Sequence, residues 1–333
     1  MATIDIRDAT EADLDSIAEV ALAVGQDEEW GGADPAYAAH LLAHGHLVVA
    51  CRDAVITGYG ATLPIGEGRS AVSMLCDLFV DPQAHGLGCG QAMLAALWRD
   101  EPRRMTFSSQ HSHALPLYTR AGLDAWWPLL YLAGDVRALA APSGWSAGLS
   151  TPERVAALEH GWTGAGRAAE HRAWAARPAG RSVEAQRDGE VLAAGTVAGA
   201  GQEYGLVHMA IAPQASDDDA RDAVFAVLAS LDPPGGQARV CLPGPHPAVR
   251  PLLVAGWRNG YIDLFMATDP GLLNPRRAVP SPAMALAGWR STGGLRRSTG
   301  GRGWARRRGG RISGSCPSPS SAVPPRTSPR GGP

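Results

Sequence analysis

Apolar and polar positions follow two rhythms along this chain, and each change of rhythm marks an element. Thr3 to Arg7 alternates and predicts a short strand. Leu14, Ile17, Ala21 and Val24 then recur at helical spacing behind Thr10 and Asp13, a pair with the spacing of a capping box. His46 to Ala50 and Ile56 to Leu63 predict two strands, joined by a turn at Arg52-Asp53-Ala54. Val72 to Val80 is a long β-rich run that stops at Asp81-Pro82. A glycine-rich turn follows, and then a helix with Met93, Leu94, Leu97 and Trp98 on its apolar side. Met105 to Ser108 predicts a strand, Pro116 to Ala121 a short helix stopped by Gly122, and Trp126 to Leu132 a last strand. The order β-α-(α)-β-β-β-α-β-α-β is that of a mixed α/β fold.

The pattern then starts again. Ala114 to Gly122 aligns with Ala248 to Gly256 at an offset of 134 residues, and the match runs on through Leu130/Leu264, Tyr131/Phe265, Ala133/Ala267 and Asp135/Asp269. Val80-Asp81-Pro82 matches Ile211-Ala212-Pro213 at an offset of 131. Two copies of one fold are expected, residues 1–139 and 151–275, with 140–150 as a linker. Residues 276–333 are rich in Arg, Gly, Ser and Pro. From about 283 they have no apolar periodicity, so disorder is expected there.

Composition changes this picture in three places. The net charge of −2 hides an asymmetry: 12 arginines and no acid lie from Arg276 onward, whereas residues 1–275 hold 18 arginines against 32 acids, a net of −14. The chain has no lysine. The tail could bind nucleic acid through its arginines, but a tail without function is the favoured reading and nucleic acid is not expected as a partner. The five cysteines (Cys51, Cys76, Cys89, Cys241, Cys316) form no C-x-x-C pair, so reduced thiols in the cytoplasm are expected, with no structural zinc. No secretory leader or membrane span is read.

The chemistry concentrates in one stretch, Asp77-Leu78-Phe79-Val80-Asp81-Pro82-Gln83-Ala84-His85-Gly86-Leu87-Gly88-Cys89-Gly90. A strand ends, three alternate glycines turn the chain, and a helix begins. Glycines admit close approach of a ligand to the backbone. The first amides of a helix are unpaired and lie at its positive end, so this stretch reads as a phosphate cradle. It is not a Walker A loop, having no G-K-[ST], and its G-x-G-x-G spacing departs from the dinucleotide fingerprint.

Gln83-Ala84-His85-Gly86-Leu87-Gly88 resembles the Q/R-x-x-G-x-G/A signature of the GNAT superfamily of acetyltransferases. Leu78 to Pro82 resembles that family's fourth strand, and Leu117-Tyr118-Thr119-Arg120-Ala121-Gly122-Leu123 its LY-x-x-x-GF segment, with Leu123 in place of Phe. Ile6 to Thr10 with Asp13 and Leu14 resembles its opening strand and helix. The resemblance covers about residues 3–134. It implies a mixed, mostly antiparallel sheet flanked by helices, with acetyl-CoA held where the fourth and fifth strands part. Backbone groups at Leu78, Phe79 and Val80 would hold the pantetheine arm. Amides of Gln83, Ala84, His85, Gly86, Leu87, Gly88, Cys89 and Gly90 would bind the diphosphate.

The resemblance also implies direct attack of a primary amine on the thioester, with Tyr118 protonating the leaving thiolate. Asp77 is the first candidate for the general base. Glu28, Glu29, His111 and His113 are others, and each of these also reads as an ordinary solvated side chain. Cys89 is not expected to act as a nucleophile, and His85, where an arginine is common, makes the charge of the loop depend on pH. The second copy has no glycine after Pro213 and carries Asp217-Asp218-Asp219 instead, with Leu252 in the place of Tyr118. It is expected to bind no coenzyme and to pack against the first copy or shape the acceptor pocket.

The expectation is therefore a cytoplasmic N-acetyltransferase acting on a small-molecule or peptide amine, without metal or membrane; a homodimer stays open. The alternative is a non-catalytic acyl-CoA sensor or scaffold.

Overall fold

The computed structural model describes residues 4–26, 34–68, 71–200 and 202–281. The first half runs β1 (Ile4–Asp8), α1 (Leu14–Ala23), α2 (Pro35–His44), β2 (His46–Arg52), β3 (Val55–Ile65), β4 (Val72–Val80), α3 (Cys89–Leu97), β5 (Arg104–Ser108), α4 (Ala114–Arg120) and β6 (Asp124–Asp135). The second half repeats that order: β7 (Trp145–Ser150), α5 (Pro152–Thr163), α6 (Ala168–Ala175), β8 (Arg181–Arg187), β9 (Glu190–Ala200), β10 (Glu203–Ile211), α7 (Asp217–Ala229), β11 (Gln237–Pro243), α8 (Val249–Val254) and β12 (Arg258–Ala267). A two-residue strand, β13 (Ala278–Val279), closes the described chain.

Local chemistry sets these boundaries. Asp34 caps α2, accepting from the Ala36 amide at 2.9 Å, and Pro35 supplies the preset first turn. Thr151 and Pro152 do the same for α5, which ends on Gly164 at φ +75°. At the end of α4 the Leu123 amide reaches back to the Tyr118 carbonyl (3.1 Å) across Gly122, which sits at φ +86°. This left-handed closure needs glycine and fixes the last turn, where Tyr118 lies.

All the long strands join one sheet, in the order β1-β2-β3-β4-β5-β12-β6-β11-β10-β9-β8-β7. Among the described strands only β4–β5 and β10–β11 are parallel. Read from either end, the order is the same for the two halves, except that their last strands have changed places. β12 lies between β5 and β6, and β6 between β12 and β11. The second half thus completes the sheet of the first as well as packing against it.

One face of the sheet carries α1, α2 and α6. Its core is continuous across the halves and holds Ile17, Leu41, Tyr59, Trp127, Trp174 and Phe265. α3 and α4 cover the other face of the first half, around Met93, Leu97 and Leu123. α7 and α8 cover that of the second, around Val224, Leu228 and Leu252.

Two boundaries differ from expectation. Residues 145–150, read as linker, form β7 and pair with β8; Ser, Ala and Gly dominate this edge strand, so it has no strong β pattern to read. Residues 276–281, read as the start of the tail, are packed. β13 pairs with β10, the Arg277 guanidinium meets Asp217 at 2.7 Å, and Arg276 pairs with the same carboxylate. Residues 283–333 of the tail lie outside the described residues.

Candidate active site

β4 and β5 are hydrogen-bonded only from Ser73/Arg104 to Leu75/Thr106. Beyond that point they part. β5 continues against β12 (Phe107 opposite Phe265, Ser108 opposite Leu264), while β4 continues against β3. A bulge sits where the strands part: Leu75 faces Thr62 and Asp77 faces Ala61, so Cys76 is the extra residue. A bulge leaves two successive residues on one side of a strand. Cys76 joins the core under α1 and α2, and Asp77 is hydrogen-bonded to Tyr37 of α2. Strict alternation would have pointed Asp77 at the α3 face instead.

Asp77 is 6% exposed, and its second oxygen, Oδ2, has no hydrogen-bond partner among the described residues. Burial pushes its carboxyl up to about 7, against the opposing hydrogen bond from Tyr37. Tyr59, also buried, lies close enough for the Asp77 charge to hold its phenol protonated, after the larger effect of burial.

Tyr118 packs from the opposite face with Leu75, Leu94 and Leu123. Burial, then the charges of Asp77 and Asp263, raise its phenol above the ordinary value. Asp263 had not been singled out from the sequence. It comes from β12, accepts from the Tyr131 hydroxyl at 2.5 Å, and stands in the first half's site only because the last strands are exchanged. Its signal was a lone carboxylate in the apolar run Tyr261-Ile262-Asp263-Leu264-Phe265. Tyr37 was missed because its helix had no placed boundary.

The glycine-rich turn divides in two. Asp81 accepts from the Gln83 amide (2.7 Å), the Ala84 amide bonds the Asp81 carbonyl (2.8 Å), and the His85 amide bonds Pro82 (3.4 Å). These three amides, expected among the diphosphate donors, are turned inward, because Asp81-Pro82 closes a 3-10 turn on itself. The amides of Gly86, Leu87, Gly88, Cys89, Gly90 and Gln91 have no acceptor among the described residues. Gly86 and Gly88 hold φ of +79° and +86°, and Gly88 begins α3 without any side-chain cap. Open donors at a bare helix end fit a diphosphate. The His85 ring donates to the Val80 carbonyl (2.9 Å), and His111 and His113 continue a row of rings beside it. Cys89 is buried with its sulfur turned toward the Ala84 carbonyl, as a packed thiol. Glu28 and Glu29 lie outside the described residues.

The second half is built differently at the matching place. Ser216 and Asp219 cap α7 reciprocally, and Asp217 is covered by Arg276 and Arg277. This helix end is capped by its own side chains and carries carboxylates where a diphosphate would have to lie.

Residues 43–122 match the model of the acetyltransferase (GNAT) domain. The chain carries a GNAT acetyltransferase domain. No curated protein matches the chain. Among solved structures, a putative acetyltransferase from Pyrococcus horikoshii shares 13% identity at a TM-score of 0.62, over 85% of this chain and 95% of that one. A GCN5-related N-acetyltransferase from Kribbella flavida shares 13% at 0.53, over 83% and 74%. A tandem GNAT protein of the clavulanic acid biosynthesis pathway shares 12% at 0.50, over 80% and 99%. At such identities the likeness is one of fold. It extends well past residue 122, into the second half of this chain.

Proposed function

We propose that the first half transfers an acetyl group from acetyl-CoA to a primary amine. The observation that carries this reading is the set of open amides from Gly86 to Gln91 at an uncapped helix end, beside the gap where β4 and β5 part. Acetyl-CoA supplies a thioester whose carbonyl carbon is open to attack. Leu78, Phe79 and Val80 offer main-chain partners to its arm, and Gly86 to Gln91 grip its diphosphate.

Asp77 and Tyr118 belong to opposite faces of the sheet, on either side of that gap. This suits an acceptor entering on the α1/α2 face and a coenzyme lying on the α3 face. Asp77, with a carboxyl near 7, takes a proton from the incoming ammonium. The free amine then forms the C–N bond as the C–S bond breaks. Tyr118 donates to the departing sulfur and recovers the proton that the new amide nitrogen sheds, and once Asp77 is neutralised one of the charges that held the phenol protonated is gone. Asp77 and Asp263 favour a cationic acceptor, as does the net −14 of residues 1–275. The second half, with a capped, acid-bearing α7 end and Leu252 for Tyr118, binds no coenzyme in this reading.

The test is thiol release from acetyl-CoA with a panel of amines, beside calorimetric CoA binding. Turnover supports the transferase. Tight CoA binding without turnover on any amine would favour the sensor reading instead, and no binding would remove both.

A further inference from the structure

The bulge of β4 has a twin. In β10, Leu206 faces Val197 and His208 faces Thr196, so Val207 is the extra residue. At the offset of 131, Val207 stands for Cys76 and His208 for Asp77. The second half has therefore kept the backbone device that turns a reactive side chain toward the α5/α6 face, although it has lost the glycine turn and the tyrosine.

Three potential ligands meet at that place. Glu159 of α5 lies with one carboxylate oxygen 2.7 Å from His208 Nε2 and the other 2.7 Å from His171 Nε2 of α6. One ligand atom from each of the three lies within 4.8 Å of the other two. All three residues are buried. His171 Nδ1 is held 2.9 Å from Thr196 Oγ1, and Trp174 stacks on the His208 ring with centroids 5.2 Å apart. A cavity of about 280 Å³ opens beside them, between the halves. Glu159 and His208 line it on one side, and Met74, Met105 and Phe107 of the first half on the other. His208 Nδ1 is buried without a partner among the described residues.

We infer that Glu159, His171 and His208 form a binding site for a divalent transition-metal cation of the zinc class. Two imidazoles and one carboxylate suit zinc or cobalt, whereas calcium and magnesium take oxygen donors. Three protein donors leave a fourth position, and the cavity supplies it with water or a small ligand. Binding would need a change of tautomer. Each imidazole shifts its N–H from Nε2 to Nδ1, freeing Nε2 for the metal. For His171 the shifted proton meets Thr196, the kind of outer partner that fixes a ligating histidine. For His208 it meets the water or ligand in the cavity. No spacing cue marks these ligands along the chain, because they come from α5, α6 and β10.

The full-length protein, stripped with a chelator and dialysed against Zn²⁺ or Co²⁺, should retain one metal per chain by elemental analysis. The Co²⁺ form should show the visible absorption of a four-coordinate site. His208→Ala and His171→Ala should each abolish retention. Thr196→Val, which leaves all three ligands in place, should weaken metal binding by roughly 10–100-fold while circular dichroism stays unchanged. Retention well below one metal per chain would overturn the assignment. So would retention that His171→Ala, His208→Ala and Thr196→Val all leave unchanged. The readout is metal content, so it stands or falls apart from acetyl transfer.

Discussion

Asp77 shows how one residue ties activity to stability. Its carboxyl keeps a proton up to about pH 7 in the folded chain and loses it near 3.8 when unfolded. Between those values the folded state holds more proton, so stability falls as pH rises. Above pH 7 the buried charge costs the fold as much as about 4 kcal/mol, at about 1.4 kcal/mol per pH unit. Asp77→Asn should therefore raise the melting temperature at pH 8 and leave it nearly unchanged about a unit or more below 3.8, where both states are protonated. The same variant should lower kcat/KM by roughly 100-fold or more and erase the rise of activity through pH 7. Thermal melts and pH–rate profiles check both halves of the expectation. Equal melting temperatures at pH 8 would show that Asp77 bears no buried charge. Tyr118→Phe should lower kcat while leaving CoA affinity within about twofold by calorimetry, since its ring packs unchanged and only the hydroxyl is lost.

At the scale of the element, the start of α3 makes a sharper test than any side chain. A methyl group at Gly90 would meet only Leu117 at 3.5 Å and Leu78 at 3.9 Å, both ordinary contacts. Gly90→Ala should keep the fold's stability and, if the proposed coenzyme site is right, still weaken coenzyme binding by roughly tenfold, because the added carbon narrows the close backbone approach that glycine allows there. Gly88→Ala carries a further cost of about 1–2 kcal/mol for a left-handed alanine.

Much of this element was legible in the sequence. Asp81-Pro82 marks the end of β4, and alternate glycines mark the turn into α3. That Gln83, Ala84 and His85 spend their amides inside the turn was not legible, because an Asx turn and a helix start use the same residue types. The bulge was hidden for a different reason. Val72 to Val80 is nearly all apolar, so no alternation exists in which an extra residue could be noticed, and the side to which Asp77 points depends on pairing with β3. β7 was missed because Ser146, Ala147, Gly148 and Ser150 have little intrinsic preference for a strand.

For the molecule as a whole, the repeat was readable at its offset, but the exchange of last strands was not, since each copy carries a complete set of elements. Phe265 sits at the centre of that exchange, fully buried and stacked on Trp127 at 4.3 Å. Phe265→Ala should destabilise the chain by about 3–5 kcal/mol in denaturant unfolding, and should damage the first half's site although it lies in the second. Cutting after Ser281 should leave the body's stability intact, whereas cutting after Pro275 removes β13 and the Arg276 and Arg277 pairs to Asp217. A lower melting temperature for the shorter form alone would bear this out.

The exchange also sets a timetable for synthesis. When β6 leaves the ribosome neither of its neighbours exists. β11 begins at Gln237, about 100 residues after β6 ends at Asp135, and β12 comes later still. At roughly 5–20 residues per second, the nascent first half waits several seconds with the far edge of β5 and both edges of β6 bare. With its last strands exchanged, the chain cannot complete one copy's sheet before the other is made, and that interval is when a holding chaperone would matter most to it.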